Sequence, residues 1–125
     1  MPNLTAERNT PERLGQMVAF PAAVDIYAGA LVAINADGAA IPADPNAGTV
    51  IGRAEKTVTA GELAPVKIGC FAFGGSGITA ADTGKTAYVV DDHTVALTGK
   101  VAAGTIYGVD EEGVWVLTKP IAATE

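Results

Sequence analysis

The sequence predicts an all-β fold, a small barrel or sandwich of roughly eight short strands with an extended N-terminal arm. First, the chain of 125 residues is long enough for one compact domain and too short for two. Second, from Met17 onward short apolar runs are punctuated by Gly, Pro, Asn and Asp at intervals of about ten residues, which is typical of all-β domains. Third, 49% of the residues are hydrophobic but only 6% are aromatic, so we expect a thin core built mainly from Ala and Val.

Residues 1–16 differ in character from the rest of the chain. They are polar and charged, and Leu4 and Leu14 are their main sizeable apolar side chains. So little apolar surface cannot offset the entropy lost on packing, and the sequence therefore predicts an arm over residues 1–16 and a single β-rich domain over residues 17–125. A single turn of helix beginning at Thr10 is an alternative for the end of the arm.

Each predicted strand is a short run of apolar residues bounded by turn formers. Gly38 and Gly113 each stand between two apolar runs, where tight hairpins require positive φ, and a third hairpin is predicted to turn at residues 91–93. The predicted strands are residues 17–21, 31–35, 49–54, 64–73, 87–91, 94–97, 104–109 and 114–118.

The last hairpin gives a specific prediction of which side chains share a face. In the last hairpin, strand alternation is expected to place Tyr107 and Val109 on the same apolar face as Val114 and Val116, with Trp115 on the opposite face.

Between the central strands, residues 74–77 read Gly-Gly-Ser-Gly and are expected to be too flexible for a strand. Thr79, followed three residues later by Asp82, predicts a capped single turn of helix.

Few residues could carry chemistry. His93 is the only histidine and stands beside Asp91 and Asp92, which could orient an imidazole for base catalysis. The available nucleophiles, however, are Ser76 in a glycine-rich stretch and Cys70 in an apolar one. Acidic residues at turns are better explained as solvated turn formers than as calcium ligands. The sequence therefore predicts no catalytic residue, no metal site and no cofactor.

Large aromatic side chains are scarce in this chain, so each is expected to matter for packing. Each is predicted to be either a core anchor or an oligomer contact, and the sequence does not separate these two roles. The residues concerned are Phe71, Phe73, Tyr88, Tyr107 and Trp115.

Charge and hydropathy narrow the range of partners and of locations. The formal net charge is -6, with no cluster of Lys or Arg, which argues against nucleic acid as a partner. No apolar run approaches the roughly 20 residues of a membrane-spanning helix, and no signal peptide is recognisable, so we expect no membrane association and no secretion. The single cysteine cannot form an internal disulfide, which is consistent with folding in a reducing cytosol.

Five runs of the sequence, taken in order, carry a family resemblance. They are NLTA at residues 3–6 with Arg8 and Asn9, IYAGALVA at 26–33, VIGRAE at 50–55, ITAADTGKTAYVVDD at 78–92, and GVD at 108–110 before VWV at 114–116. In these residues the chain resembles the capsid cement, or head-decoration, proteins of tailed bacteriophages. The resemblance spans most of the chain, through structural rather than catalytic signatures.

The resemblance implies a non-enzymatic structural protein on the outer surface of the virion. Such a protein binds the major capsid protein and stabilises its contacts, usually as a homotrimer or a dimer; the sequence does not distinguish these two states. The polar arm agrees with this, because an extended segment can add a strand to a neighbour's sheet. The residues predicted for that contact are Asn3, Leu4, Thr5, Ala6, Arg8 and Arg13.

Two other functions remain open from the residues alone. A small carbohydrate- or ligand-binding β-module could use Trp115, Tyr107 and Tyr88 as stacking surfaces. An enzyme such as a lysin fragment would need paired carboxylates in a cleft, whereas the acids here fall on predicted turns. Binding of a soluble ligand by the protein alone would favour the ligand-binding module.

Overall fold

The computed structural model describes residues 17–118, which form an all-β structure of ten strands with one short 3-10 turn. Within these residues, no helix has the length and apolarity needed to cross a membrane. The predicted arm over residues 1–16 lies outside the described residues. The strands are β1 (Met17–Pro21), β2 (Leu31–Ile34), β3 (Ala40–Pro42), β4 (Thr49–Ala54), β5 (Leu63–Lys67), β6 (Cys70–Ser76), β7 (Thr86–Asp91), β8 (Thr94–Ala96), β9 (Ala102–Asp110) and β10 (Gly113–Leu117).

The first five strands form one antiparallel sheet in the order β1-β5-β4-β2-β3. The sheet is curled, because Ala22, directly after β1, forms a parallel bridge with Ala40 in β3 and so brings the two ends of the sheet together. Its concave inner face encloses a core of small and branched side chains that includes Ile26, Val58 and Val66. We call this side of the sheet its inner face and the opposite side its outer face.

The last five strands form a closed barrel in the order β10-β6-β8-β7-β9. The pair β6–β8 is parallel, and the other pairs are antiparallel. Closure removes the free edges that an open sheet of the same strands would carry. The all-β class predicted from the sequence is therefore confirmed. Of the two predicted architectures, barrel and sandwich, the last five strands form a barrel, and the described residues contain ten strands where roughly eight were predicted.

The barrel packs on the outer face of the first sheet at β2 and β4. Along β2, Val32 points into the inner core of the sheet, whereas Leu31 and Ala33 join the core of the barrel. Val50 in β4 joins the barrel core in the same way. Both faces of these strands are thus buried, which explains why β2 is a continuous apolar run rather than an alternating one.

The central prediction of one long strand over residues 64–73 is wrong. The strand is interrupted at Ile68 and Gly69. Before them β5 belongs to the first sheet, and after them β6 belongs to the barrel. Strand β3 was not predicted, because a run of three residues is too short to give a strand pattern in the sequence. All three residues pair with β2. The prediction of a loop at residues 74–77 is also wrong for its first three residues.

Strand β6 continues through Gly74, Gly75 and Ser76 because β8 pairs with it in parallel. The glycine at position 75 is required by space, since a Cβ there would collide with the Cγ2 methyl of Val114. Any side chain at this position, even the methyl group of alanine, would therefore require Val114 or the β6 backbone to move. Gly75 is therefore explained by the close approach of the Val114 side chain and not by a need for flexibility.

The predicted inner face of the last hairpin needs one correction. The register of β9 and β10 moves from Trp115 opposite Gly108 to Val116 opposite Ile106, so Tyr107 is the extra residue of a β-bulge. Tyr107 consequently lies outside the barrel and is 67% exposed, while Ile106 is buried in its place. Simple alternation could not show this, because a bulge reverses the side-chain pattern on one strand only.

The predicted capped turn is confirmed at Ala80–Asp82. The Asp82 carboxylate accepts a hydrogen bond of 2.9 Å from the backbone N–H of Thr79, as a capping box requires. Lys85 Nζ donates to the other oxygen of the same carboxylate at 3.0 Å. These two bonds lower the pKa of Asp82 and fix the connection between β6 and β7.

Candidate functional site

Strand β1 gives the first sheet an open edge. It pairs with β5 along one side, from Met17 opposite Lys67 to Pro21 opposite Leu63. Within residues 17–118, no strand pairs with the other side of Met17–Pro21. Unpaired backbone N–H and C=O groups along a strand edge are a template for an added strand from another chain.

The two ends of the described chain lie close to each other. Met17 stands opposite Lys67, and Thr118 is bonded to Gly69, two residues further along the chain. The backbone N–H of Thr118 donates to the Gly69 carbonyl at 2.8 Å, and the N–H of Gly69 donates to the hydroxyl of Thr118 at 3.1 Å. Residues 1–16 and 119–125 are therefore both attached to the chain beside the β5–β6 connection.

The six residues predicted to contact a capsid lie outside the described residues. They are Asn3, Leu4, Thr5, Ala6, Arg8 and Arg13. What the structure adds is the point at which their segment joins the fold, the first residue of the open-edged strand β1.

A shallow depression marks the joint between the sheet and the barrel. It has a volume of about 320 Å³ and is lined by residues 27–30 of the sheet and by Asp92 and His93 of the β7–β8 turn. The backbone N–H of Leu31 donates to the carbonyl of Asp92 at 2.7 Å, which holds the two walls together. Tyr27 stands at its rim and is 69% exposed.

Residues 91–93 are the acidic turn singled out in the sequence. His93 Nδ1 lies 3.0 Å from an oxygen of Asp92 and 3.2 Å from an oxygen of Asp91. The hydrogen bond to Asp92 and the charge of Asp91 raise the pKa of His93, although the imidazole is largely exposed. One ligating atom from each of the three residues lies within 4.8 Å of the others, which is also a common arrangement in solvated turns.

Of the described residues, neither candidate nucleophile, Ser76 or Cys70, lies beside this histidine. Ser76 pairs with Ala96, three residues along β8 from His93, which corresponds to roughly 10 Å along a strand. Cys70 lies at the other end of β6 and is half-buried, and burial raises the pKa of its thiol. A raised pKa leaves less of the reactive thiolate at neutral pH.

The five aromatic residues singled out in the sequence occupy different environments. Phe73 is buried in the barrel core, and Phe71 packs against that core from its edge. Trp115 is half-buried on the outside of the barrel, where its indole N–H donates to Asp110 at 3.0 Å. Tyr107 is exposed near it on the same side of the barrel, whereas Tyr88 pairs with Ala102.

The position of Tyr88 bears on the predicted stacking surface. Ala102 is five residues from Tyr107 along β9, or roughly 16 Å in a strand. The register therefore places Tyr107 next to Gly108, the residue opposite Trp115, and leaves Tyr88 apart from both. A stacking surface of all three residues is not formed.

Two residues were missed by the sequence analysis. Tyr27 precedes the Ala28-Gly29 turn, and an aromatic residue beside a glycine turn was the signal that could have drawn attention to it. Arg53 in β4 lies over the ring of Phe71 in β6 and forms an ion pair with Glu55. No local signal predicts that contact, because the two residues belong to different sheets.

Comparisons of the chain with protein-family models, with curated proteins and with solved structures gave no match. A function for the chain therefore has to be argued from its own residues and geometry.

Proposed function

We propose that this protein is a capsid-decoration protein, which binds the outer surface of a tailed-phage head and strengthens contacts between major capsid proteins. The observation that carries the proposal is the open edge of β1, to whose first residue the polar segment 1–16 is joined. A polar segment that leads into an open sheet edge suits attachment by strand addition, in which main-chain hydrogen bonds supply the affinity. The proposal includes a homotrimer or a dimer and no catalysis.

The runs that carry the family resemblance support a structural role. Residues 26–33 contain the turn and strand that meet the barrel, and residues 50–55 overlap β4, on which the barrel packs. Residues 78–92 end at Asp92, whose carbonyl accepts the hydrogen bond from Leu31. These runs thus meet at the joint between sheet and barrel, as expected of residues that maintain the shape of a structural subunit.

The chemistry of the described residues favours binding over catalysis. His93 is engaged by Asp92 and exposed, and neither Ser76 nor Cys70 is placed beside it. The acidic residues 110–112 lie at the β9–β10 turn, where Asp110 accepts hydrogen bonds from the Glu112 backbone and from Trp115. The Asp110 carboxylate thus accepts hydrogen bonds within the turn, which argues against the lysin alternative.

A pair of full-length variants tests the proposed contact. Thr5→Pro removes a backbone N–H that strand addition uses, whereas Thr5→Ala removes only the side chain. Binding to undecorated heads of the phage that encodes the protein is measured by co-sedimentation. We expect Thr5→Pro to bind at least about tenfold more weakly than the wild type, the equivalent of ~1.4 kcal/mol, and Thr5→Ala to bind like the wild type.

Two results would count against the proposal. Equal binding by both variants would exclude strand addition at Thr5. A wild-type protein that ignores the heads, yet binds a soluble saccharide, would transfer the assignment to the ligand-binding module.

A further inference from the structure

The outer face of the first sheet is covered over only part of its width. At β2 and β4, Leu31, Ala33 and Val50 are covered by the barrel. The same face continues onto β5 and β1, where no other described element packs on it, so its residues there are open to solvent or half-buried. Arg53, lying over Phe71 of the barrel, marks the boundary between the two parts.

The uncovered part is a block of three directly opposed residue pairs, which we call the β1–β5 face. Because opposed residues in an antiparallel pair share a face, the exposed positions of β1 group with their partners on β5. Five of the six side chains are apolar and only one is charged. The pairs are Met17 with Lys67, Ala19 with Pro65, and Pro21 with Leu63.

The exposure of these residues is unusual for a sheet. The alternate residues of the two strands, Val18 and Phe20 on β1 and Ala64 and Val66 on β5, pack into the inner core. The strands therefore have the expected buried side, and their other side is apolar instead of polar. Leu63 is 62% exposed and Met17 is 37% exposed. A contiguous apolar block of this kind typically marks an interaction surface.

The attachment of residues 1–16 indicates what covers this face. Met17 is itself a member of the face, and residue 16 is bonded directly to it. Arg13 is four residues from Met17, so a partner bound along the end of this segment lies within roughly 14 Å of the β1–β5 face. Tyr107, the most exposed aromatic of the barrel, belongs to the other sheet.

We infer that the β1–β5 face docks on the major capsid protein, against an apolar strip of its surface with a carboxylate placed to meet Lys67. The inference rests on the proposed function and deepens it, because it assigns to described residues a second contact beside the point where segment 1–16 joins the chain. Burial of the apolar side chains adds affinity in proportion to the area removed from water, whereas Lys67 fixes the orientation.

Substitutions on the face of the full-length protein test the inference. Leu63→Asp and Ala19→Asp each place a charge on the β1–β5 face, and Leu63→Ala removes apolar area without adding charge. Val24→Asp and Val90→Asp place the same charge on exposed apolar positions outside the β1–β5 face and serve as matched controls. Far-UV circular dichroism establishes that each variant is folded. If a charged face variant does not fold, Leu63→Ala replaces it in the binding measurement.

Binding is measured by co-sedimentation with undecorated heads, and the oligomeric mass by light scattering. We expect the charged face variants to bind at least about tenfold more weakly, a loss of ~1.4 kcal/mol, with unchanged mass and with controls that bind like the wild type. Wild-type affinity in the face variants would overturn the inference and leave the proposed function intact. A reduced oligomeric mass would also overturn it, since the face would then bind a second copy of the chain. Failure of the wild type to bind would instead overturn the proposed function.

Discussion

The guanidinium carbon of Arg53 lies 4.2 Å from the centroid of the Phe71 ring. Arg53 is in β4 of the first sheet and Phe71 is in β6 of the barrel, so this cation–π contact ties the two parts together. Glu55 pairs with the same guanidinium and holds it in place over the ring. The contact lies at the line where the barrel stops covering the sheet.

A double-mutant cycle measures this contact. Arg53→Met keeps the length of the side chain without its charge, and Phe71→Leu keeps an apolar group without the ring. We expect a coupling energy of about 0.5–1 kcal/mol in the free energy of unfolding, from urea denaturation of the wild type, both single variants and the double variant. A coupling energy of zero would show that the two side chains are adjacent without stabilising each other.

Gly52 is predicted to be the most sensitive glycine of the first sheet. A Cβ at this position would collide with the backbone carbonyl oxygen of Lys67, and backbone cannot give way as a flexible side chain can. We expect Gly52→Ala to lower the free energy of unfolding by about 2–3 kcal/mol. Gly108→Ala is the matched control, because a Cβ there meets nothing within 4 Å, and it should change stability by less than about 0.5 kcal/mol.

The single histidine allows a clean pH titration by NMR. Asp92 and Asp91 raise the pKa of His93 above its ordinary value of 6.5. Because the folded pKa is the higher one, charged His93 stabilises the folded protein fully below pH 6.5, and this contribution is lost as the pH rises through the folded pKa. Asp92→Asn should move the titration midpoint down towards 6.5, whereas a wild-type midpoint at or below 6.5 would contradict the geometry of the turn.

Local chemistry in the sequence predicted the features that depend on neighbouring residues. Thr79 and Asp82 form their capping box because both partners lie within one turn of the chain. The turn after Asn35 places Gly38 at a φ of 82°, as the hairpin prediction required. The same local reasoning predicted the all-β class, which the structure confirms.

Features that depend on distant partners could not be predicted. The strand at Gly74–Ser76 exists because β8 supplies parallel hydrogen bonds from twenty residues further along the chain. The exposure of Tyr107 follows from a bulge that is visible only in the register of β9 with β10. The β1–β5 face was hidden for the same reason, because the sequence does not show that β1 pairs with β5 or that the barrel stops at Arg53.

The most direct test of the proposed function is the binding of the purified protein to undecorated heads of the tailed phage to which the proposal assigns it. A decoration protein is predicted to bind saturably, with a copy number that matches the symmetry of the shell, and to make the heads more resistant to heat. A protein that fails to co-sediment with the heads at any concentration, and leaves their thermal disruption unchanged, would contradict the proposal.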